Sequence, residues 1–248
     1  MVIAVGNDAD ALFPPLTISS TSFEIDGLLF ENLAQPADVL NPIGDAGWTG
    51  QLADSWTWAP DSLSIAFHLD PKAHWHDGIP VRAGDVRFTY QLYVDPKVAS
   101  SVAPLPAKID SVSTPDSLTA VFWFKSRYPT QFYDAAYQMR ILPEHLLATA
   151  NRSQLVASDF GRHPVGSGPY RFVSWIPKQS IELAADTSYH RGRPHLERLI
   201  WSIAPDYNTT MVRVMAGEAD FLEYVRPGDV ARVAHQAGVK LVPYPSMA

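Results

Sequence analysis

The 248-residue sequence contains no cysteine, which excludes disulfide bonds, thiolate chemistry and cysteine-ligated zinc. Basic residues are also scarce, because 19 lysines and arginines stand against 26 aspartates and glutamates, for a formal net charge of −7. Sequence-independent binding to nucleic acid needs lysine and arginine to displace counterions from phosphates. The charge therefore argues against a nucleic-acid partner.

Long apolar runs are missing as well. The apolar runs, such as Ala120–Phe124, fall far short of the roughly 20 residues that a membrane-spanning helix requires. The apolar fraction is nevertheless 46%, with 7 tryptophans, 10 tyrosines and 11 phenylalanines, which excludes a disordered chain. The length favours one large domain or two small ones, and 21 scattered prolines predict many short elements.

The N-terminal third is predicted to form a strand and a helix. Residues 1–5 favour a buried strand, and a polar loop follows over 6–19. Thr21 stands three residues before Glu24, which predicts a capping box at the start of a helix. Pro36 is expected to end that helix. Its apolar residues at helical spacing are Ile25, Leu28, Leu29 and Leu33.

The middle of the chain changes to the period of a strand. Apolar and polar residues alternate over 63–69 and again over 118–124, which predicts two half-buried strands. A helix is predicted between them over 85–94, and two helical segments over 129–139 and 143–150.

The C-terminal third predicts strands and helices in alternation, which favours a parallel sheet covered by helices. A β-rich insert over 37–164 then separates the N-terminal strand–helix unit from this α/β unit. The predicted elements are strands at 170–175, 181–185 and 196–203, a helix at 209–216, a strand at 220–224, a helix from Pro227 and a strand at 239–242.

Short motifs recur in a fixed order along the chain. They are QLADSW at 51–56, HWHDGIP at 74–80 followed by AGDV at 83–86, VGSGPYRF at 165–172, SYHRGRP at 188–194 and MAGEAD at 215–220. Together they resemble the extracellular solute-binding proteins of family 5, the dipeptide-, oligopeptide- and nickel-binding receptors of ABC importers, over about residues 28–225. Three positions depart from the family pattern: Trp75 replaces phenylalanine, Arg82 threonine and His190 tryptophan.

The resemblance implies an α/β fold of the periplasmic-binding-protein type II, cluster C. The chain would be the first lobe, a mixed sheet with helices plus an inserted β-rich subdomain, with the second lobe absent. Subdomain Ia would comprise 1–36 and 165–248, subdomain Ib 37–164, and the hinge would begin at 243–246. An isolated lobe would expose the apolar face that meets its partner lobe, so self-association is expected.

The implied function is the substrate-binding component of an ABC importer, which captures a peptide or similar small solute between two lobes. No catalytic residue, metal or cofactor is then expected. The partners would be the ligand and a membrane permease. The location would be periplasmic or extracellular, with a lipid anchor at the membrane surface as a further option.

In the family, the loop after the first strand faces the cleft, which makes Leu12, Phe13, Ser20 and Phe23 candidate ligand residues. A second candidate segment contains Tyr137, Met139 and Arg140. The planar guanidinium of Arg140 offers a fork to a carboxylate such as a peptide C-terminus. The structural alternatives are packing or capping for the loop residues and an intrachain ion pair for Arg140.

Three other interpretations stay open. His74, His76 and Asp77 have the residue types of a zinc site, which would suit a small metal-dependent hydrolase, although a tight turn at His76-Asp77-Gly78 explains them as well. The many tryptophans and tyrosines would also suit an oligosaccharide-binding receptor of the same fold. A lobe that acts alone as an interaction module is the last.

Overall fold

The computed structural model describes residues 1–37, 41–100 and 106–243. Short 3₁₀ helices lie at Pro106–Lys108, Arg152–Ala157, Asp159–Gly161 and Pro227–Asp229. The strands are β1 (Val2–Val5), β2 (Ala34–Pro36), β3 (Trp48–Gly50), β4 (Ala53–Trp58), β5 (Ser64–Leu69), β6 (Ile109–Ser113), β7 (Thr119–Phe124), β8 (Tyr170–Ile176), β9 (Ser180–Ala185) and β10 (Arg198–Ile203). The helices are α1 (Ser20–Leu29), α2 (Ala83–Val94), α3 (Gln131–Ala136), α4 (Glu144–Leu147), α5 (Tyr207–Met215) and α6 (Val230–Ala234).

The chain forms two compact units. The smaller unit comprises residues 1–8, 173–184 and those from 196 onward, and the larger unit comprises 9–172 and 185–195. The predicted hinge start at 243–246 lies, apart from Pro243, outside the described residues.

The smaller unit is built on a four-stranded sheet in the order β1-β10-β9-β8. Strand β1 pairs parallel with β10 from Val2–Ile200 to Val5–Ile203, whereas β10 pairs antiparallel with β9. The sheet is therefore mixed. The side chains of Leu183 and Trp201 are buried in it.

The prediction of strands at 220–224 and 239–242 is wrong, because neither segment forms a strand in the structure. A single bridge joins Ile3 to Phe221, with Ala4 N–H donating to the Phe221 carbonyl at 2.8 Å, and residues 239–242 are irregular. The chain leaves the sheet edge because Arg226 N–H bonds the Tyr207 hydroxyl at 3.0 Å before the turn at 227–229. The predicted helix over 209–216 is confirmed as α5.

The larger unit contains an antiparallel sheet in the order β4-β5-β7-β6. Both alternating segments are confirmed, because Ile65, Phe67 and Phe122 are fully buried and point to one apolar core. Helix α2 also forms as predicted and begins at Ala83. The N-cap residue, Arg82, has no side-chain hydroxyl. Its backbone N–H donates to the Asp85 carboxylate at 2.8 Å, so Asp85 satisfies a backbone donor at the start of the helix.

Helix α1 differs from its prediction at both ends. Its N-cap is Ser19, whose hydroxyl accepts from Ser22 N–H at 3.1 Å, and Thr21 lies buried inside the first turn. The predicted capping box of Thr21 and Glu24 is therefore wrong. The helix ends at Leu29, before Leu33, because the next residues extend and pair with a distant segment.

That distant segment also shortens the helix predicted over 129–139. Helix α3 ends at Ala136, and the chain then extends because Ile141 N–H bonds the Glu31 carbonyl at 2.8 Å and Leu142 N–H bonds the Thr89 hydroxyl at 2.9 Å. Helix α4 is similarly shorter than the predicted 143–150. Across the described residues, no helix is long and apolar enough to cross a membrane.

Candidate functional site

One face of α1 carries an exposed row of residues. Ser20, Phe23 and Gly27 are spaced by three and four positions, so they line up along the helix. Ser20 is exposed, Phe23 retains 45% of its surface and Gly27 is half-buried. The opposite face, with Ile25, Asp26 and Leu29, is buried. The helix thus presents a hydroxyl and an aromatic ring to solvent.

The guanidinium of Arg140 completes this row. A Cβ placed on Gly27 would lie 3.2 Å from Nη2 and 3.4 Å from Nη1 of Arg140, so the guanidinium rests against the helix backbone. Its Nη1 also donates to the Phe30 carbonyl at 3.4 Å, at the negative end of the helix dipole. Arg140 is half-buried, so its positive charge lies at the C-terminal end of this helix face, where Gly27 is.

Pairing between two extended segments positions Arg140. Besides the Ile141–Glu31 bond, the Leu33 N–H donates to the Ala136 carbonyl at 3.0 Å. The Asn32 amide donates to the carbonyls of Tyr137 at 2.8 Å and Met139 at 3.0 Å. These bonds fix the backbone on both sides of residue 140.

The loop before α1 is held by Asp10. Its carboxylate accepts from the Ser22 hydroxyl at 2.6 Å, from Ile18 N–H at 2.9 Å and from Ser19 N–H at 3.3 Å. Partial burial acts to raise its pKa, but these bonds together hold the pKa of Asp10 below its ordinary value. Asp10 is therefore an ionised anchor of this loop.

The predicted ligand residues occupy different depths. Leu12, Phe13 and Met139 are buried at 0–1% exposure, and the Phe13 ring packs edge-on against Phe160. Tyr137 is half-buried, with its ring 5.5 Å from that of Trp48. Ser20 and Phe23 are exposed on α1 and Arg140 lies against Gly27 of the same helix, whereas Leu12, Phe13 and Met139 are buried.

The metal-site interpretation requires His74, His76 and Asp77 to converge. The His74 ring nitrogens instead bond the Lys72 carbonyl and the Ser188 hydroxyl, and Asp77 bonds His145 Nε2 at 2.7 Å. Within residues 1–37, 41–100 and 106–243, no group of three His, Cys, Asp or Glu side chains could hold a metal ion. The geometry does not support the hydrolase.

His76 has a structural partner in the motif 165–172. Gly166 N–H donates to Nδ1 at 3.1 Å, so the proton of the neutral ring lies on Nε2, which donates to the Gly168 carbonyl at 3.0 Å. Burial, with the Arg171 charge as a smaller contribution, lowers the pKa of His76 to about 4. His76 is thus neutral and joins two motifs of the sequence.

A buried cluster around His190 was not predicted. The His190 ring bonds Asp70 through Nδ1 at 2.8 Å and the Glu31 carboxylate through Nε2 at 3.1 Å, and Tyr189 donates to Glu31 at 2.7 Å. Burial opposes protonation, but the two carboxylates raise the pKa of His190. The one sequence signal was that His190 replaces tryptophan in the family motif.

A groove of about 450 Å³ elsewhere in the larger unit contains none of the predicted ligand residues. Its polar wall includes Asp85, which is already used to cap α2. We therefore place no ligand there. The groove is lined by Ile79, Pro80, Arg82, Asp85, Glu144, His145 and Ala148.

Comparison with known proteins identifies the family of this architecture. The family pattern described as "Bacterial extracellular solute-binding proteins, family 5 Middle" matches residues 47–248. The chain belongs to family 5 of the bacterial extracellular solute-binding proteins. Members of family 5 are extracellular or periplasmic substrate-binding proteins of transport systems, not enzymes, and they bind peptides or other small ligands and work with an ABC permease.

Individual relatives agree with this assignment. A Brucella ovis protein named as an ABC transporter peptide-binding protein is 34% identical over 194 residues, 78% of this chain and 36% of that protein. NikZ from Campylobacter jejuni, solved with Ni(L-His), matches with a TM-score of 0.83 and 25% identity over 96% of this chain and 45% of that chain.

The oligopeptide-binding protein AppA from Bacillus subtilis, solved with a nonapeptide, matches with a TM-score of 0.88 and 24% identity over 98% of this chain and 47% of that chain. The predicted periplasmic-binding-protein type II fold is therefore confirmed. The chain spans less than half the length of these family 5 proteins.

Proposed function

We propose that this chain is the first lobe of the substrate-binding component of an ABC importer. The whole receptor would capture a peptide or similar small solute between two lobes and release it unchanged to a membrane permease. The carrying observation is the exposed face of α1, which presents Ser20 and Phe23 to solvent and has the Arg140 guanidinium against Gly27 further along the helix. This face offers hydrogen bonding, apolar contact and one positive charge.

A carboxylate-bearing ligand fits this row best. A guanidinium can donate two parallel hydrogen bonds to a carboxylate, and the exposed Phe23 ring can cover an apolar side chain of the ligand. The nonapeptide bound to AppA and the histidine of Ni(L-His) bound to NikZ both carry a carboxylate, so they share the group that Arg140 would recognise.

Within this proposal, Leu12, Phe13 and Met139 support the row from the interior, and Tyr137 adds an aromatic edge. We retain subdomain Ia (1–36 and 165–248) and the inserted subdomain Ib (37–164) as the proposed division. The receptor would work outside the cytoplasm, free or lipid-anchored, without a nucleic-acid partner, and the isolated lobe would self-associate.

Isothermal titration calorimetry of the whole receptor, first with trialanine and then with the C-terminal amide of trialanine, tests the ligand class. We expect Arg140→Gln to weaken trialanine binding by at least about tenfold, since hydrogen bonds to charged groups contribute about 1.5–3 kcal/mol, and to leave amide binding unchanged. Arg87→Gln is the matched control, because Arg87 is exposed and its guanidinium makes a 3.5 Å bond to Thr114.

Equal trialanine affinity in wild type and Arg140→Gln would remove Arg140 from the binding site. Binding of a neutral trisaccharide, together with no binding of either peptide, would favour the oligosaccharide receptor.

A further inference from the structure

The carboxyl group of Asp26 lies on the buried face of α1, one residue before the glycine on which Arg140 rests. Asp26 has 0% exposure. Its Oδ2 accepts from the Thr17 hydroxyl at 2.7 Å, and its Oδ1 has no hydrogen-bond partner. An ionised carboxylate in this position would leave one charged oxygen buried and unpaired, which costs far more than leaving an oxygen of a neutral carboxylic acid unpaired.

Arg140 does not satisfy this free oxygen. Its Nη1 is directed to the Phe30 carbonyl, and its guanidinium rests on the Gly27 backbone. An arginine beside an ionised buried aspartate would gain a charge-assisted bond by turning to it. The observed arrangement is therefore the one expected when Asp26 carries a proton, because a neutral Asp26 offers Arg140 no buried negative charge to pair with.

The charged and titratable groups around Asp26 agree with a neutral acid. Burial raises the pKa of Asp26 to about 8, against the opposing effects of the Thr17 bond and the Arg140 charge, and the ionised Asp10 adds to the rise. The Tyr93 hydroxyl, on α2, is fully buried, and burial raises its pKa as well, so it contributes no charge at neutral pH.

We propose that Asp26 is a proton-carrying positioning residue that, as a neutral acid, leaves the Arg140 charge free to bind the carboxylate of a ligand. This inference rests on the proposed function for Arg140. Once ionised, Asp26 would draw the guanidinium inward and cancel its charge. Affinity for a carboxylate should then fall as the pH rises through the Asp26 transition, and a bound carboxylate should shift that transition upward.

The protonation state can be measured without any ligand. We would follow the ¹³Cγ signal of Asp26 in the protein by NMR, with Asp26→Asn to identify it and triple-resonance assignment if that variant does not fold. A midpoint near 8 is expected. The Arg140 Nε–Hε signal should move with the same midpoint in wild type and stay constant in Asp26→Asn.

Thr17→Val provides a second variant, because it removes the hydroxyl that bonds Oδ2 and keeps the shape of the side chain. Loss of this donor should move the Asp26 midpoint further upward. An Asp26 midpoint near the ordinary value of about 4 would overturn the inference. An Arg140 Nε–Hε signal that does not change across the Asp26 transition would overturn it as well.

Calorimetry with trialanine at pH 6 and pH 9 tests the consequence for binding. We expect wild-type affinity to fall at least about fivefold more than that of Asp26→Asn, a typical size for coupled sites. Titration of the peptide amine affects both proteins equally and cancels in this comparison. Equal losses would overturn the inference, whereas trialanine binding that does not depend on Arg140 at any pH would instead overturn the proposed function.

Discussion

The Nε2 of His76 donates to the carbonyl oxygen of Gly168 at 3.0 Å, across 92 positions of the chain. This bond and the Gly166 N–H bond to Nδ1 require a neutral imidazole, since protonation of Nδ1 would remove the acceptor. The turn that contains Gly166 and Gly168, here called the glycine turn, packs against the end of α1, where Gly168 N–H bonds the Leu29 carbonyl at 2.9 Å. The imidazole therefore supports the helix that carries the candidate ligand row.

The neutral His76 predicts an acid-sensitive contribution to stability. Its folded pKa, about 4, lies below the ordinary 6.5, so the unfolded chain binds the proton more readily. The contribution is complete above about pH 6.5 and is lost as the pH falls toward 4, by roughly 3 kcal/mol. Urea unfolding of wild type and His76→Asn from pH 7 to 4 measures it.

In His76→Asn the free energy of unfolding should vary less over this pH range than in wild type. His68→Asn is the control, since His68 is exposed, and its pH dependence should follow wild type. Identical pH curves for wild type and His76→Asn would show that His76 is not the group responsible.

His190 predicts the opposite pH dependence. Its folded pKa is raised by Glu31 and Asp70, so its imidazolium stabilises the fold fully below the unfolded value of about 6.5 and less as the pH rises through the folded pKa. NMR titration of the ring Cε1–H signal should give a His190 midpoint above the ordinary histidine value of about 6.5. A midpoint at or below that value would contradict the charged cluster.

Truncation of His190 should be costly because it leaves the buried Glu31 carboxylate without its cation. We expect His190→Ala to lower the free energy of unfolding at pH 6 by about 3–5 kcal/mol. The exposed His68→Ala should change it by about 0.5 kcal/mol or less. Denaturant titration compares the two, and similar small losses would rule out an ion cluster at this site.

The glycine turn should not tolerate a side chain. A Cβ on Gly166 would lie 1.8 Å from the Leu29 carbonyl oxygen, a backbone atom that cannot yield easily. Gly166→Ala should therefore cost about 3 kcal/mol or more, or prevent folding. Gly228→Ala is the control, because a Cβ there meets nothing within 4 Å, and its circular dichroism melt should match wild type.

Gly27→Ala should separate stability from binding. Alanine in a helix interior is favoured over glycine by about 0.5–1 kcal/mol, while its Cβ would meet the mobile end of Arg140 at 3.2 Å and displace it. We expect an unchanged or slightly higher melting temperature with weaker trialanine binding. Unchanged affinity would show that the position of Arg140 on the helix does not matter to the ligand.

Local periodicity was enough to predict much of the fold. The alternation over 63–69 and 118–124 became β5 and β7, and helices α2 and α5 formed where predicted. These elements follow from side-chain spacing, a property of neighbouring residues. The family motifs likewise indicated the fold class, because each is a short run that the chain carries whatever its tertiary contacts.

The ends of α1 and α3, and the roles of the polar residues, depended on tertiary structure. Leu33 could not be separated from the helix by spacing alone, because its extended backbone is fixed by Ala136, more than a hundred positions away. The proton on Asp26 and the charge on His190 depend on burial and on distant partners, which set the cost of ionisation. The sequence by itself determined the elements with a clear local period, such as β5, β7, α2 and α5, and only the packing of distant segments decided where elements end and which side chains are charged.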